Sequence, residues 1–140
     1  MQIRLAARIF GIIYIIVGIV GFIPGISPPV PADYPHLALG QFYNNELGVF
    51  TVNWLHSIVH IVIGIWALGA AGSVMAGKSF FRANGWIFVV LFILGIIPAT
   101  NTVFGLVPLF GWDAGLHLIT AIVAFYFGYS AAATENTVTV

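Results

Sequence analysis

The sequence predicts an all-α integral membrane protein, a bundle of four transmembrane helices built from two parallel two-helix repeats. Composition is the first observation, since 61% of the 140 residues are hydrophobic and 6% are charged. Soluble domains average about 25% charged residues. The second observation is that four apolar segments reach the roughly 20 residues that a helix needs to cross a bilayer. The third is a similarity between the two halves of the chain, which predicts the repeat.

The predicted spans cover about residues 5–24, 49–71, 85–104 and 113–133, within one domain over residues 1–140. Their apolar runs are continuous instead of alternating, which disfavours membrane-spanning strands. The first run follows basic residues, as a signal peptide would. However, it is long and ends in "GFIPG" without a small-residue cleavage site, so we interpret it as a retained span.

The positions of the basic residues predict the orientation. Arg4 and Arg8 lie at the start of the first span, and Lys78 and Arg82 lie between the second and third spans. Because Lys and Arg favour the cytoplasmic side, both termini are predicted to be cytoplasmic. Arg8 and Arg82 each begin a span at that interface, where their side chains can reach lipid headgroups. The outer loops are then expected at about residues 25–48 and 105–112.

An internal repeat relates the first span to the third and the second span to the fourth. It pairs Arg8 with Arg82, "GFIP" with "GIIP", and His56 with His117. Both units run from inside to outside and back, so the axis that relates them should lie along the membrane normal. The repeat therefore predicts that His56 and His117 lie at similar depths on equivalent helices.

Polar residues line one face of the second and fourth spans. Asn53, His56 and His60 share a helical face in the second span, and Asp113 and His117 share one in the fourth. Small residues continue both faces, and small residues let membrane helices approach closely. These faces should therefore point into the bundle. Ionisable residues within a span indicate a functional site, whereas a histidine that only bonds a neighbouring helix would fix helix register.

Three chemistries fit this set of residues, and the sequence leaves them open. A divalent metal such as zinc, manganese or iron is one, with Asn53 beside the ligands. A b-type haem held axially by His56 and His117, or a chlorophyll on one of them, is another. A proton relay is the third. The second repeat lacks a counterpart of His60, which favours a small metal or a relay over a centred macrocycle. The candidate metal ligands are His56, His60, His117 and Asp113.

Other functions are excluded or disfavoured by what the chain lacks. Without cysteine there can be no disulfide or thiolate site, and a net charge of zero gives no basic surface for nucleic acid. Nucleophile-elbow, P-loop, dinucleotide and H-E-x-x-H motifs are absent, which disfavours an enzyme. The alternative to a cofactor protein is a non-catalytic accessory subunit that packs with other membrane subunits or as a homo-oligomer. A small transporter ranks last, because the inner halves of the second and fourth spans offer few polar residues.

Two stretches, "TVNWLHSIVHIVIGIWALGAA" and "DAGLHLITAIVAFYFGY", resemble a family of small four-span bacterial membrane proteins of unknown function. That family has a V-N-x-x-H-x-x-x-H-x-x-x-G element in its second span and an acidic residue before L-H in its last. The resemblance implies that Asn53, His56, His60, Asp113 and His117 are signature positions, and it implies no reaction. The expected location is a bacterial inner or thylakoid-type membrane.

Overall fold

The structure is a computed structural model, and it describes residues 2–130. These residues are mostly helical, with four α-helices and one antiparallel pair of short strands, which confirms the helical part of the predicted fold class. Residues 131–133 of the predicted fourth span, and the C-terminus, lie outside the described residues. The elements are α1 (Ile3–Val20), β1 (Asn44–Glu46), β2 (Phe50–Val52), α2 (Trp54–Ala70), α3 (Val74–Ile96) and α4 (Trp112–Tyr129).

Two of these helices, α1 and α3, are long and apolar enough to cross a membrane. Most of their surface faces outward, since 28% of the apolar window of α1 and 33% of that of α3 are buried. The helix α2 is apolar but shorter, with 17 residues. By length and composition, these helices suggest that the chain associates with a membrane.

Capping residues and prolines explain where α3 begins and ends. Ser73 accepts a hydrogen bond from the backbone N–H of Ala76 at 3.1 Å, and this cap starts the helix at Val74 instead of near residue 85. Phe80 and Phe81 lie in this first part of the helix and pack into the core. Their packing therefore stabilises a helical segment that the hydropathy pattern predicts to be a loop. At the other end it stops at Ile96, before Pro98, because proline cannot continue a helix. The predicted span of 85–104 is therefore displaced toward the C-terminus relative to the helix.

The helices pack as two antiparallel hairpins, α1 with α2 and α3 with α4. In the first hairpin a Cβ on Gly11 would lie 2.8 Å from the carbonyl oxygen of Gly64, so the two backbones nearly touch. In the second hairpin a Cβ on Gly85 would lie 2.5 Å from the ring of Phe125. The alignment that pairs Arg8 with Arg82 also pairs Gly11 with Gly85, and both glycines occupy a close crossing between helices.

A hydrophobic core lies between the hairpins. Phe80, Phe81 and Phe88 of α3 are each 1% exposed, and they pack against small residues of the other three helices. Alanine lets these helices approach, and the aromatic rings fill the space that it leaves. At the helix ends that the strands and loops connect, the buried residues are polar, and the candidate site lies there. The alanines of this core are Ala6, Ala7, Ala67, Ala70, Ala71, Ala121 and Ala124.

At the opposite end, arginines of the first helix of each hairpin bond the last turn of the second helix. The Nε of Arg4 donates to the carbonyl oxygen of Ala71 at 3.1 Å, and the Nε of Arg82 donates to that of Gly128 at 2.7 Å. Carbonyl groups at a helix C-terminus lack partners within the helix and attract cations, so these bonds close each hairpin. Arg8 and Arg82 are both exposed, and their contact with lipid headgroups stays a prediction.

Candidate functional site

Three buried side chains from both hairpins converge at the loop-covered end of the helices. One potential ligand atom of each of His56, Asp113 and His117 lies within 4.8 Å of the other two. His56 and His117 are each 3% exposed and Asp113 is 2% exposed. The two imidazole rings are 6.1 Å apart between centroids and inclined by 25°. The structure thus brings together the paired histidines of the repeat and the acidic residue that precedes the second of them.

Local helix geometry positions each of these groups. His56 lies in the first turn of α2, three residues after the capping Asn53. In α4, Asp113 and His117 are one turn apart, and Oδ2 of Asp113 lies 3.5 Å from Nδ1 of His117. That helix starts after Gly111, whose φ of 68° suits glycine better than any other residue. Asp113 is therefore in the first turn, where the helix dipole stabilises a carboxylate.

The polar atoms that converge here have no hydrogen-bond partner among the described residues. Nδ1 of His56, Nδ1 of His117 and Oδ2 of Asp113 are buried, and none makes a hydrogen bond within residues 2–130. Buried polar groups in native proteins nearly always have a partner, because leaving one unpaired costs roughly 1–3 kcal/mol. Imidazole nitrogens and carboxylate oxygens are also the commonest ligands of divalent transition metals. The cluster is therefore chemically suited to hold a cation.

His60, the fourth predicted ligand, lies beside this cluster but not in it. Its ring centroid is 4.5 Å from that of His56, and its ring contacts that of Tyr14 edge-on at 5.3 Å. It is 8% exposed, and its Nδ1 also has no partner in the described part of the chain. His60 does not belong to the group of three residues whose ligand atoms converge.

Asn53, predicted to stand beside the ligands, contacts backbone groups instead of an imidazole. Its Oδ1 accepts the backbone N–H of His56 at 3.0 Å. Its Nδ2 donates to the carbonyl oxygens of Leu39 at 2.8 Å and Leu106 at 2.7 Å. These two residues belong to different loops, so Asn53 fastens both loops over the start of α2. The sequence carried a signal for this role, because Asn directly before an apolar helix is a typical N-cap.

A cavity of about 140 Å³ adjoins the cluster, between α2, α3, α4 and the loop that precedes α4. Its walls are apolar except for His56, His60 and His117. An engineered cavity of about 150 Å³ holds one benzene molecule, and pockets for drug-sized ligands start near 300 Å³. A space of this volume therefore suits an ion with water or a very small molecule better than a tetrapyrrole. The remaining wall residues are Val59, Ile63, Phe88, Leu91, Val103, Val107 and Leu109.

A second buried carboxyl group, Glu46, was not singled out by sequence reasoning. It is 4% exposed, although it lies in β1, within the segment expected to be an outer loop. Burial raises the pKa of Glu46 to about 7. Its Oε1 and the Oγ of Ser57 have no partner in the described residues, and both lie against Gly21. Glu46 is also close enough to Asp113 for the charges of the two groups to interact. No local pattern marks this residue, because its burial depends on the strand pair.

These features define a class, a small helical protein with apolar outer surfaces and a buried cluster of histidine and aspartate at one end. Residues 4–130 match a family described as a domain of unknown function, DUF4383, and the chain belongs to this family. The predicted membership in a family of unknown function is thereby confirmed. No curated protein and no solved structure matches the chain.

Proposed function

We propose that this protein is a four-span integral membrane protein that binds one divalent transition-metal ion through His56, His117 and Asp113. The convergence of three buried ligand groups without partners carries the proposal. Two imidazoles and one carboxylate form the facial set that binds non-haem iron, and they resemble the two-histidine, one-carboxylate set of catalytic zinc sites. Such sets leave coordination positions open for water or a small ligand, and the adjoining cavity provides room for it.

The distances are compatible with coordination after small side-chain movements. Zinc–nitrogen bonds of about 2.0–2.1 Å place tetrahedral ligand atoms roughly 3.4 Å apart. The pair Asp113–His117 is already near that separation, at 3.5 Å. His56 has to approach by at most about 1.5 Å, which rotation about its χ angles can supply. Backbone groups of Thr51 and Pro108 lie beside its ring. A backbone carbonyl in that position can accept the second ring N–H and so orient a ligand histidine.

The proposed membrane placement follows from packing and charge. The helices α1 and α3 could each cross a bilayer, and α2 and α4 pack along them in the two hairpins. Arg4, Arg8, Lys78 and Arg82 all lie toward the end opposite the cluster, near the start of α1 or of α3. By the positive-inside rule that end is cytoplasmic, and the metal site then lies in the outer half of the bundle.

Cysteine labelling in intact cells tests this placement. Asp33→Cys, at an exposed position of the long loop, should react with an impermeant maleimide, and Gly72→Cys, in the exposed connection before α3, should not. Ser27 is unsuitable for the label, because it is 1% exposed. Reaction of both variants, or of Gly72→Cys alone, would contradict the orientation.

Metal analysis of the protein purified from membranes tests the site. We expect close to one equivalent of zinc, iron or manganese, lost in His56→Ala and in His117→Ala and weakened about tenfold or more in Asp113→Asn. His60→Ala should have a smaller effect than any of these substitutions, since His60 stands outside the converging set. His36→Ala is the matched control, because this fourth histidine is exposed in the long loop.

An absorption spectrum and the metal content of the same preparation distinguish the other candidate functions. A Soret or chlorophyll absorption band in place of the metal would indicate a tetrapyrrole and would contradict the metal proposal. Wild-type metal content in both His56→Ala and His117→Ala would refute the assignment of ligands. A protein with neither metal nor pigment would have histidines that only pack, which favours the accessory subunit. Binding of other membrane subunits or of further copies stays a prediction.

A further inference from the structure

A groove of about 300 Å³ lies between α1 and α4, and His60 lines both this groove and the cavity of about 140 Å³ beside the cluster. It exists because α1 packs on α2 and α4 packs on α3, so these two helices do not close on each other. Its rim is exposed, with Ile13 at 51% and Ile119 at 60%. The groove therefore opens sideways, toward the surface that a bilayer would cover.

Three polar side chains lie in this otherwise apolar groove, namely Tyr14, Thr120 and His60. The hydroxyl of Tyr14, on α1, lies near that of Thr120, on α4. His60 is more than nine-tenths buried, and its Nδ1 has no hydrogen-bond partner in the described residues. A lipid-facing groove with a hydroxyl pair and a free imidazole offers donors and acceptors where acyl chains offer none.

We infer that this groove binds a membrane-dissolved molecule with a small ring that carries carbonyl or phenol oxygens, a quinone or quinol, and that Tyr14, Thr120 and His60 contact those oxygens. This inference rests on the membrane placement proposed above and does not require the metal. A volume near 300 Å³ is at the lower end for small-molecule sites and accommodates one substituted ring, while the apolar tail stays in the bilayer.

Other occupants match the groove less well. An acyl chain would leave the imidazole of His60 without a partner, which is costly in hydrocarbon, whereas the hydroxyls of Tyr14 and Thr120 already pair with each other and with the carbonyl oxygen of Leu116. A phospholipid headgroup stays at the interface, whereas His60 is six residues after Trp54, or about 9 Å below the outer end of α2. A helix of a second copy would be expected to meet small residues, but the rim consists of bulky side chains such as Ile13 and Ile119.

The inference also gives His60 a role that the metal proposal leaves open. Its ring lies between two spaces, because it lines both the groove and the cavity beside the cluster. It contacts Tyr14 on the groove side and His56 on the other side. A ring oxygen bound in the groove would therefore contact a residue that packs directly on a proposed metal ligand.

Photolabelling in lipid nanodiscs tests the inference. The full-length protein in phosphatidylcholine nanodiscs is irradiated with an azido-quinone, with decylubiquinone or oleate as competitor. We expect labelled peptides from α1 and α4, and displacement by decylubiquinone but not by oleate. Tyr14→Phe and Thr120→Val each remove one hydroxyl and keep the side-chain shape, and each should weaken decylubiquinone competition about threefold to tenfold. Ile16→Leu is the control, since Ile16 is 54% exposed on α1 and lies outside the groove.

Metal content measured on the same samples keeps this inference distinct from the metal proposal. Labelling that persists in His56→Ala, whatever the metal content of that variant, supports an independent quinone site. Wild-type competition in both Tyr14→Phe and Thr120→Val would overturn the inference, as would equal displacement by oleate. Labelling confined to helices other than α1, α2 and α4 would overturn it as well.

Discussion

Replacing Asn53 tests how the candidate site is closed on its loop side. Asn53 is 0% exposed, and its amide makes three hydrogen bonds. It accepts one from the backbone of His56 at 3.0 Å and donates one to Leu39 at 2.8 Å and one to Leu106 at 2.7 Å. One side chain thus joins α2 to two loops, and those loops also bond each other through their backbones.

The size of the effect follows from these three bonds. A hydrogen bond contributes about 1 kcal/mol net, and an N-cap contributes about 1 kcal/mol. Asn53→Ala removes all three and should lower the free energy of unfolding by roughly 3 kcal/mol, or the unfolding temperature by about 10 °C. Asn53→Asp keeps the cap, since Asp caps as well as Asn. However, it places a carboxylate oxygen against the carbonyl oxygens of Leu39 and Leu106, so we expect a loss at least as large.

Thermal unfolding of the purified protein in detergent, followed by circular dichroism, measures this difference. Gln41→Ala is the control, because Gln41 is an exposed amide of the same loop. A wild-type unfolding temperature in Asn53→Asp would refute the reasoning, since this variant keeps the cap and loses only the two contacts with the loops.

Two further variants test the packing and the electrostatics around the site. Gly64→Ala should destabilise the first hairpin by about 1–3 kcal/mol, because its Cβ would lie 2.7 Å from the carbonyl oxygen of Gly11. Gly69→Ala, on the same helix with nothing near its Cβ, should be neutral or stabilising by up to about 1 kcal/mol. Glu46→Gln tests the raised pKa. The folded carboxyl stays protonated up to about pH 7, whereas the unfolded one ionises near pH 4.5. As the pH rises from about 4.5 to about 7, the free energy of unfolding of the wild type should therefore decrease relative to that of Glu46→Gln, by up to roughly 3 kcal/mol. A constant difference in denaturation midpoints from pH 4 to 8 would contradict this.

Helical periodicity indicates which side chains share a face, but it does not separate His60 and Asn53 from the residues whose ligand atoms converge. His56 and His117 each share a face with small residues, and the face that packs closely is also the face that is buried. The spacing of residues within a helix determines which side chains share a face, independently of how the loops fold. The apolar runs also predicted the four helices, although capping by Ser73 moved the start of α3 to Val74.

The remaining features depend on contacts between distant segments. Glu46 is buried because β1 pairs with β2 and lies against Gly21, and no periodic pattern in a loop indicates this. Asn53 carries a local capping signal, but its bonds to Leu39 and Leu106 depend on how both loops fold. That His60 stands outside the converging set likewise depends on how the hairpins pack, which the spacing within α2 does not specify.

Because the cluster spans both hairpins, a dependence of stability on metal concentration would distinguish a metal site from simple polar packing. His56 belongs to the first hairpin, and Asp113 and His117 belong to the second, so neither hairpin alone contains the site. The closest helix packing is within each hairpin, and α3 provides most of the contact between them. An ion that binds only when both hairpins are in place would link them and stabilise the folded protein by about 2.7 kcal/mol at a concentration 100 times its dissociation constant. Histidines that merely pack give no such dependence on metal concentration, because their contacts are complete without a ligand.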